Sequence, residues 1–139
     1  MLENIKLLAS DVTSFQFNII KKPTQSDGFY IYSVSPLDEV VCTENDLGIE
    51  IDNEAKVIGY LGISPENEAD LNEDDKVFEL YLKFCCVYSM PEKDQIKNFL
   101  QENRWFFEPQ FRLFSKQVIQ SFLSNTEYRN ISIPLQHDE

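Results

Sequence analysis

The stretch Asn103 to Leu135, NRWFFEPQFRLFSKQVIQSFLSNTEYRNISIPL, decides the fold. Trp105, Phe106 and Phe107 lead into Glu108-Pro109, and a proline there suits the first turn of a helix, where its missing N–H costs nothing. The reading places a helix start at that point. Phe111, Phe114, Val118 and Phe122 follow at spacings of three and four, and Leu113, Ile119 and Leu123 widen the stripe beyond one packing face. Ser124-Asn125-Thr126 should end the helix. Ile131-Ser132-Ile133-Pro134-Leu135 then reads as a short extended return that its proline keeps from being a central strand.

Working outward, the segment before this helix is a shorter one. Pro91 opens Glu92 to Asn103, with early carboxylates suited to a helix N-terminus and a narrow stripe of Ile96, Phe99 and Leu100. Ahead of it, Val77 to Tyr88 is the clearest strand. Phe78, Leu80, Leu82, Phe84, Cys86 and Tyr88 take one face, against Glu79, Tyr81 and Lys83 on the other. Ser64 to Asp75 holds six carboxylates without apolar periodicity and reads as a solvated, mobile loop; it lacks the spacing and the central glycine of an EF-hand.

Leu47 to Ile51 alternates, and Lys56 to Ile63 is again β-prone despite Gly59 and Gly62, so this region reads as either a tight hairpin or one irregular strand. Phe29 to Val34 is β-rich with both faces apolar or aromatic, which predicts cover on both sides. Pro36 interrupts it, and Glu39 to Thr43 resumes it. Ile5 to Ile20 reads as a long strand bulged near Asp11. The resulting expectation is α+β: a roughly four-stranded antiparallel meander followed by two helices on one face, with residues 1–136 as a single domain and 137–139 as a short disordered tail.

Composition narrows the function. The chain has 139 residues, a formal net charge of -12 and an aromatic fraction of 13%. That charge argues against nucleic acid and against an anionic membrane surface, because both select for clustered Lys and Arg. No apolar run is long enough for a membrane span and no basic-then-apolar leader opens the chain, so the expectation is a cytoplasmic protein. Cys42, Cys85 and Cys86 lack metal-ligand spacing and read as reduced, mostly buried thiols. His137, the one histidine, sits in the last three residues, and no phosphate loop, nucleophile elbow or dinucleotide fingerprint is present. These features predict a protein that is not an enzyme and that takes neither cofactor nor metal. Surplus aromatic surface, at Phe29, Tyr30, Ile31 and Tyr32 and at Trp105 to Phe107, marks a subunit interface or a binding groove.

Phe107-Glu108-Pro109-Gln110-Phe111-Arg112, the long amphipathic helix after it and Ile131-Ser132-Ile133-Pro134-Leu135 resemble the end of the SecB-type export chaperones. In that family a hydrophobic-Phe-Pro-Tyr-x-Arg segment opens the main helix and a Leu-x-Leu-x-Pro segment follows it. Asp11-Val12-Thr13-Ser14-Phe15 is similar to the family's Asp-Ile-Ser-Phe with one residue inserted, and the order of elements agrees from about Ile5 to Leu135.

The resemblance implies an ATP-independent chaperone, a homotetramer built as a dimer of dimers, that keeps unfolded or nascent chains soluble in apolar grooves. It makes Trp105, Phe106 and Phe107, in the segment joining the helices, groove residues. Phe29, Tyr30 and Tyr32 join them as client-binding residues, and Phe111, Phe114, Val118 and Phe122 form the oligomer interface. Gln110 replaces the family's tyrosine, and Tyr88-Ser89-Met90 replaces its glycine-phenylalanine strand end. The chain stops at Glu139 without the zinc-binding tail that engages the SecA motor, which favours a dedicated antitoxin client at least as well as general export. Two rival readings remain: an apolar-ligand-binding α+β module, and an acidic inhibitor or immunity-type protein with one basic partner.

Overall fold

The computed structural model describes residues 5–21, 28–46, 48–90 and 96–126. Five strands precede two helices: β1 (Lys6–Ile19), β2 (Gly28–Val34), β3 (Val41–Glu44), β4 (Ile49–Leu61), β5 (Lys76–Ser89), α1 (Ile96–Glu102) and α2 (Arg104–Leu123). All pairings are antiparallel, in the order β1-β5-β4-β2, with β3 also on β4. β2 and β3 lie end to end along one edge of β4, β3 on Ile49–Asp52 and β2 on Ala55–Leu61, so five strands fill four positions. The class is α+β, as the alternation of β5 and the stripe of α2 predict.

The chain order is not a simple meander, because β1 pairs with β5 rather than with β2. Length disfavours the meander: β1 and β5 each run 14 residues, whereas β2 has 7 and would leave half of β1's backbone groups unpaired. Register shifts at Leu7/Ala9 and Val12/Ser14 place bulges on both sides of Asp11. Residues 49–61 form one continuous strand, which settles the hairpin alternative. Gly59 is required in that strand, since a Cβ there would lie 2.3 Å from the Phe78 ring. The acidic connection between β4 and β5 contains two single 3₁₀ turns, Glu68–Asp70 and Glu73–Asp75.

The core lies between the sheet and α2. Even-numbered residues of β5 from Phe78 to Tyr88 meet Ile49, Ile51, Ala55 and Val57 of β4 on this inner face, all fully buried. α2 contributes Phe107, Phe111, Ser115, Ile119 and Leu123, spaced four apart, with Phe114, Val118 and Phe122 half-buried beside them. Phe114 packs on Phe84 at 5.5 Å, and Phe122 packs on Phe15 and Phe17 at 4.7 and 4.9 Å. All four residues of the expected oligomer-interface stripe therefore face this chain's own sheet.

α2 starts at Arg104, earlier than Glu108-Pro109, so Trp105 to Phe107 are helical and not a connecting loop. Asn103 alone separates the helices; its Nδ2 donates to the Phe99 carbonyl at 3.0 Å and its own carbonyl accepts from Phe106 N. Pro109 removes only one helical bond, the one to the Trp105 carbonyl. Burying Phe107 against Tyr88, with ring centroids 5.3 Å apart, outweighs that loss. The expected extended return at Ile131–Leu135, the tail at 137–139 and the expected helix start at Pro91 lie outside the described residues.

Candidate functional site

The first two turns of α2 carry aromatic side chains from solvent into the core. Trp105 is 67% exposed, Phe106 is half-buried and Phe107 is fully buried. Their rings meet edge-on, Trp105 on Phe106 at 5.9 Å and Phe106 on Phe107 at 5.0 Å. Phe107 in turn touches Phe99 of α1 at 6.0 Å and stacks along Phe111 at 6.4 Å. Helical phase causes the gradient: Phe107 lies one turn before buried Phe111, whereas Trp105 begins an outward row with Pro109, Leu113, Gln117 and Ser121, all exposed. Leu113, 47% exposed, extends the apolar part of that row.

On the sheet side, Tyr32 is 3% exposed and locks β2 to α2. Its hydroxyl donates to Ser115 Oγ at 2.5 Å, Ser115 Oγ donates to the Arg112 carbonyl at 3.1 Å, and that carbonyl lies 3.4 Å from the phenol oxygen. Burial pushes the Tyr32 phenol above its ordinary pKa, although the Ser115 bond and the Arg112 charge pull the other way. Tyr30 is half-buried on the inner face and is also raised by burial. Phe29 stacks on Tyr60 at 5.2 Å. The structure thus joins Trp105, Phe106 and Phe107 into one aromatic row and ties Tyr32 to the middle of α2. Phe29 belongs to a separate pair with Tyr60.

Three features escaped the sequence reading. A groove of about 640 Å³ lies where β2 ends, lined by Val34, Pro36, Lys56, Arg104, Glu108 and Arg112 among others. The helix residues come from one side of α2 at spacing four, a signal visible once the helix start is moved back to Arg104. Arg104 Nε approaches Glu108 Oε1 at only 3.9 Å across this wall. The second feature is β1, which carries exposed Leu7, Leu8, Val12 and Ile19 at the border of the sheet. Edge position depends on partner choice, which local alternation does not encode.

The third is a cluster of Glu50, Asp52 and Cys85, whose ligand atoms lie within 4.8 Å of one another. Burial pushes the Cys85 thiol above its ordinary pKa, with the Glu50 charge adding to that effect. The hydrogen bond that a protonated Glu50 donates to Asp52, then the Asp52 charge, raises the Glu50 carboxyl. Cys42 and Cys86 are likewise raised, chiefly by burial, and all three cysteines are unbridged. Among the described residues, no helix is long and apolar enough to cross a membrane.

No family model matches the sequence, and no curated protein matches it. Among solved structures, the chain is similar to the Mycobacterium tuberculosis Rv1957 SecB-like chaperone, in a complex with a ChAD peptide from the Rv1956 HigA1 antitoxin. The likeness has a TM-score of 0.68 at 6% identity and covers 95% of this chain and 90% of that one. An antiparallel sheet in this order, one long helix across its inner face and a short helix before it therefore constitute a SecB-like fold, and that is the fold of this chain.

Proposed function

We propose that the protein is a chaperone that binds non-native polypeptide and keeps it soluble without ATP. One observation carries this reading: Trp105 stands in solvent at 67% exposure on top of a row of rings anchored in the core. An exposed tryptophan packed edge-on against Phe106, which in turn meets Phe107, offers apolar area of the kind found at binding hot spots. The similar fold of a chaperone solved with an antitoxin peptide supports a polypeptide client, either one dedicated antitoxin-type chain or unfolded chains more broadly. Phe29, Tyr30 and Phe106, all half-buried, complete the client-binding set, and buried Tyr32 and Phe107 hold it in place.

The working form is a cytoplasmic homotetramer, a dimer of dimers. β1 supports association, because an edge strand of 14 residues with exposed Leu7, Leu8, Val12 and Ile19 gains both hydrogen bonds and apolar burial from a second copy. Phe114, Val118 and Phe122, half-buried, are left at the rim of such a contact.

Trp105 is the chain's one tryptophan, so intrinsic fluorescence reports on it alone. Adding a reduced, unfolded model protein should shift its emission to the blue and shield it from iodide. Light scattering should give a mass near four times 16.3 kDa that rises on client uptake. A monomer whose Trp105 ignores unfolded chains would sink the reading and turn attention to a pocket ligand or a single basic partner.

A further inference from the structure

Trp105 sits in a turn of α2 whose backbone bonding is incomplete. Pro109 has no N–H, so the Trp105 carbonyl lacks the helical bond that would tie it to the next turn. The indole is 67% exposed and leans edge-on against Phe106, with ring centroids 5.9 Å apart, so its direction follows from how Phe106 is held.

Gln110 supplies that hold. Its Nε2 donates to the Phe106 carbonyl at 3.0 Å, and its Oε1 accepts from the Tyr88 hydroxyl at 2.8 Å. Tyr88 is fully buried in β5, between Leu7 of β1 and Ile49 of β4, and forms the fixed end of this chain of bonds. Phe107 packs the same turn on the Tyr88 ring at 5.3 Å, but apolar contact attracts without a preferred direction, whereas hydrogen bonds prefer one geometry. The residue type fits the task. A primary amide offers an acceptor and a donor on one rigid plane; a carboxylate cannot donate at neutral pH, and an apolar side chain does neither. Gln110 is half-buried, so both bonds are partly sheltered from water.

We propose that Gln110 is a positioning residue for client uptake: through Tyr88 and the Phe106 carbonyl it clamps the first turns of α2 to β5 and sets the direction of Trp105. The proposal rests on the chaperone reading above and names the group that prepares its exposed tryptophan. A side chain already oriented before contact loses less freedom when a client covers it, which tightens binding without adding a contact.

The test uses variants of the full chain. Tyr88→Phe removes the donor at the sheet end, whereas Gln110→Glu keeps an acceptor for Tyr88 and removes the donor to Phe106. Ile119→Val trims the buried side of the same helix and is the control for lost packing. Two quantities are read: the anisotropy decay of Trp105, the one tryptophan, and the affinity for a reduced, unfolded model protein. In both clamp variants the fast part of the decay should grow and affinity should fall about three- to tenfold. The double variant should be no weaker than the weaker single one, because the two bonds act in series. Ile119→Val should leave both quantities unchanged. Clamp variants that keep the decay and the affinity of the original chain overturn the proposal and leave the chaperone reading standing. So does a looser Trp105 that binds as before, or an Ile119→Val chain that loosens Trp105 equally. An original chain that takes up no unfolded protein overturns both.

Discussion

Trp105 and Phe107 stand two residues apart in one helix and share the ring of Phe106, yet one is 67% exposed and the other fully buried. The inward side of α2 follows the logic of a core: large apolar groups at every fourth position, and one serine, Ser115, satisfied by Tyr32. The outward side begins with Trp105, Pro109 and Leu113 and then turns polar at Gln117 and Ser121. Packing gives no reason for apolar residues in that first half. The difference separates aromatic groups that hold the fold from those available to a partner, and it does so within a single turn.

The strongest way to break this contrast is Phe107→Ala. Removing a fully buried ring that touches Phe99, Tyr88 and Phe111 should cost about 3–5 kcal/mol in a urea titration, and a cost below about 1 kcal/mol would show that the inward row is not core. Asn53 tests the same core from the opposite direction. It is buried on the inner face beside Phe84, and among the described residues neither its Oδ1 nor its Nδ2 has a hydrogen-bond partner. Asn53→Leu should therefore raise stability by about 1–2 kcal/mol, read as a higher urea midpoint at unchanged slope. A smaller loss, about 1 kcal/mol, is expected for Tyr32→Phe, because Ser115 keeps its bond to the Arg112 carbonyl when the phenol is gone. Trp105→Ala should change the melting behaviour least, within about 0.5 kcal/mol, and yet weaken uptake of an unfolded protein several-fold. Were it to destabilise the chain as Phe107→Ala does, the distinction between the two sides would collapse.

Much of this was legible in the sequence. The alternation of Phe78 to Tyr88 fixes β5 and its buried face, and Phe111, Phe114, Val118 and Phe122 mark the face of α2 that packs on the sheet. Partner choice was not legible: nothing local to Lys6–Ile19 says that its neighbour is Lys76–Ser89, because pairing depends on matching strands distant in sequence. The site was blurred by Pro109. Taken as the first helical residue, it leaves Trp105, Phe106 and Phe107 in a loop with no phase, three equivalent aromatics. Extending the stripe back by four from Phe111 reaches Phe107 and would have sorted buried from exposed. The burial of Tyr32 was hidden for a different reason: it is tied to Ser115, a polar residue in the middle of an apolar stripe that composition alone treats as an interruption.

The pairing of β1 with β5 has a consequence for how the protein is made. Lys6 meets Ser89 and Ile19 meets Phe78, so the first strand to leave the ribosome finds its partner only after most of the chain has followed. Until then Leu7, Leu8, Val12, Phe15 and Phe17 trail unpaired, and pairing them requires closure of a long loop. During its own synthesis the molecule is thus an aggregation-prone nascent chain, in the very condition from which it would protect others.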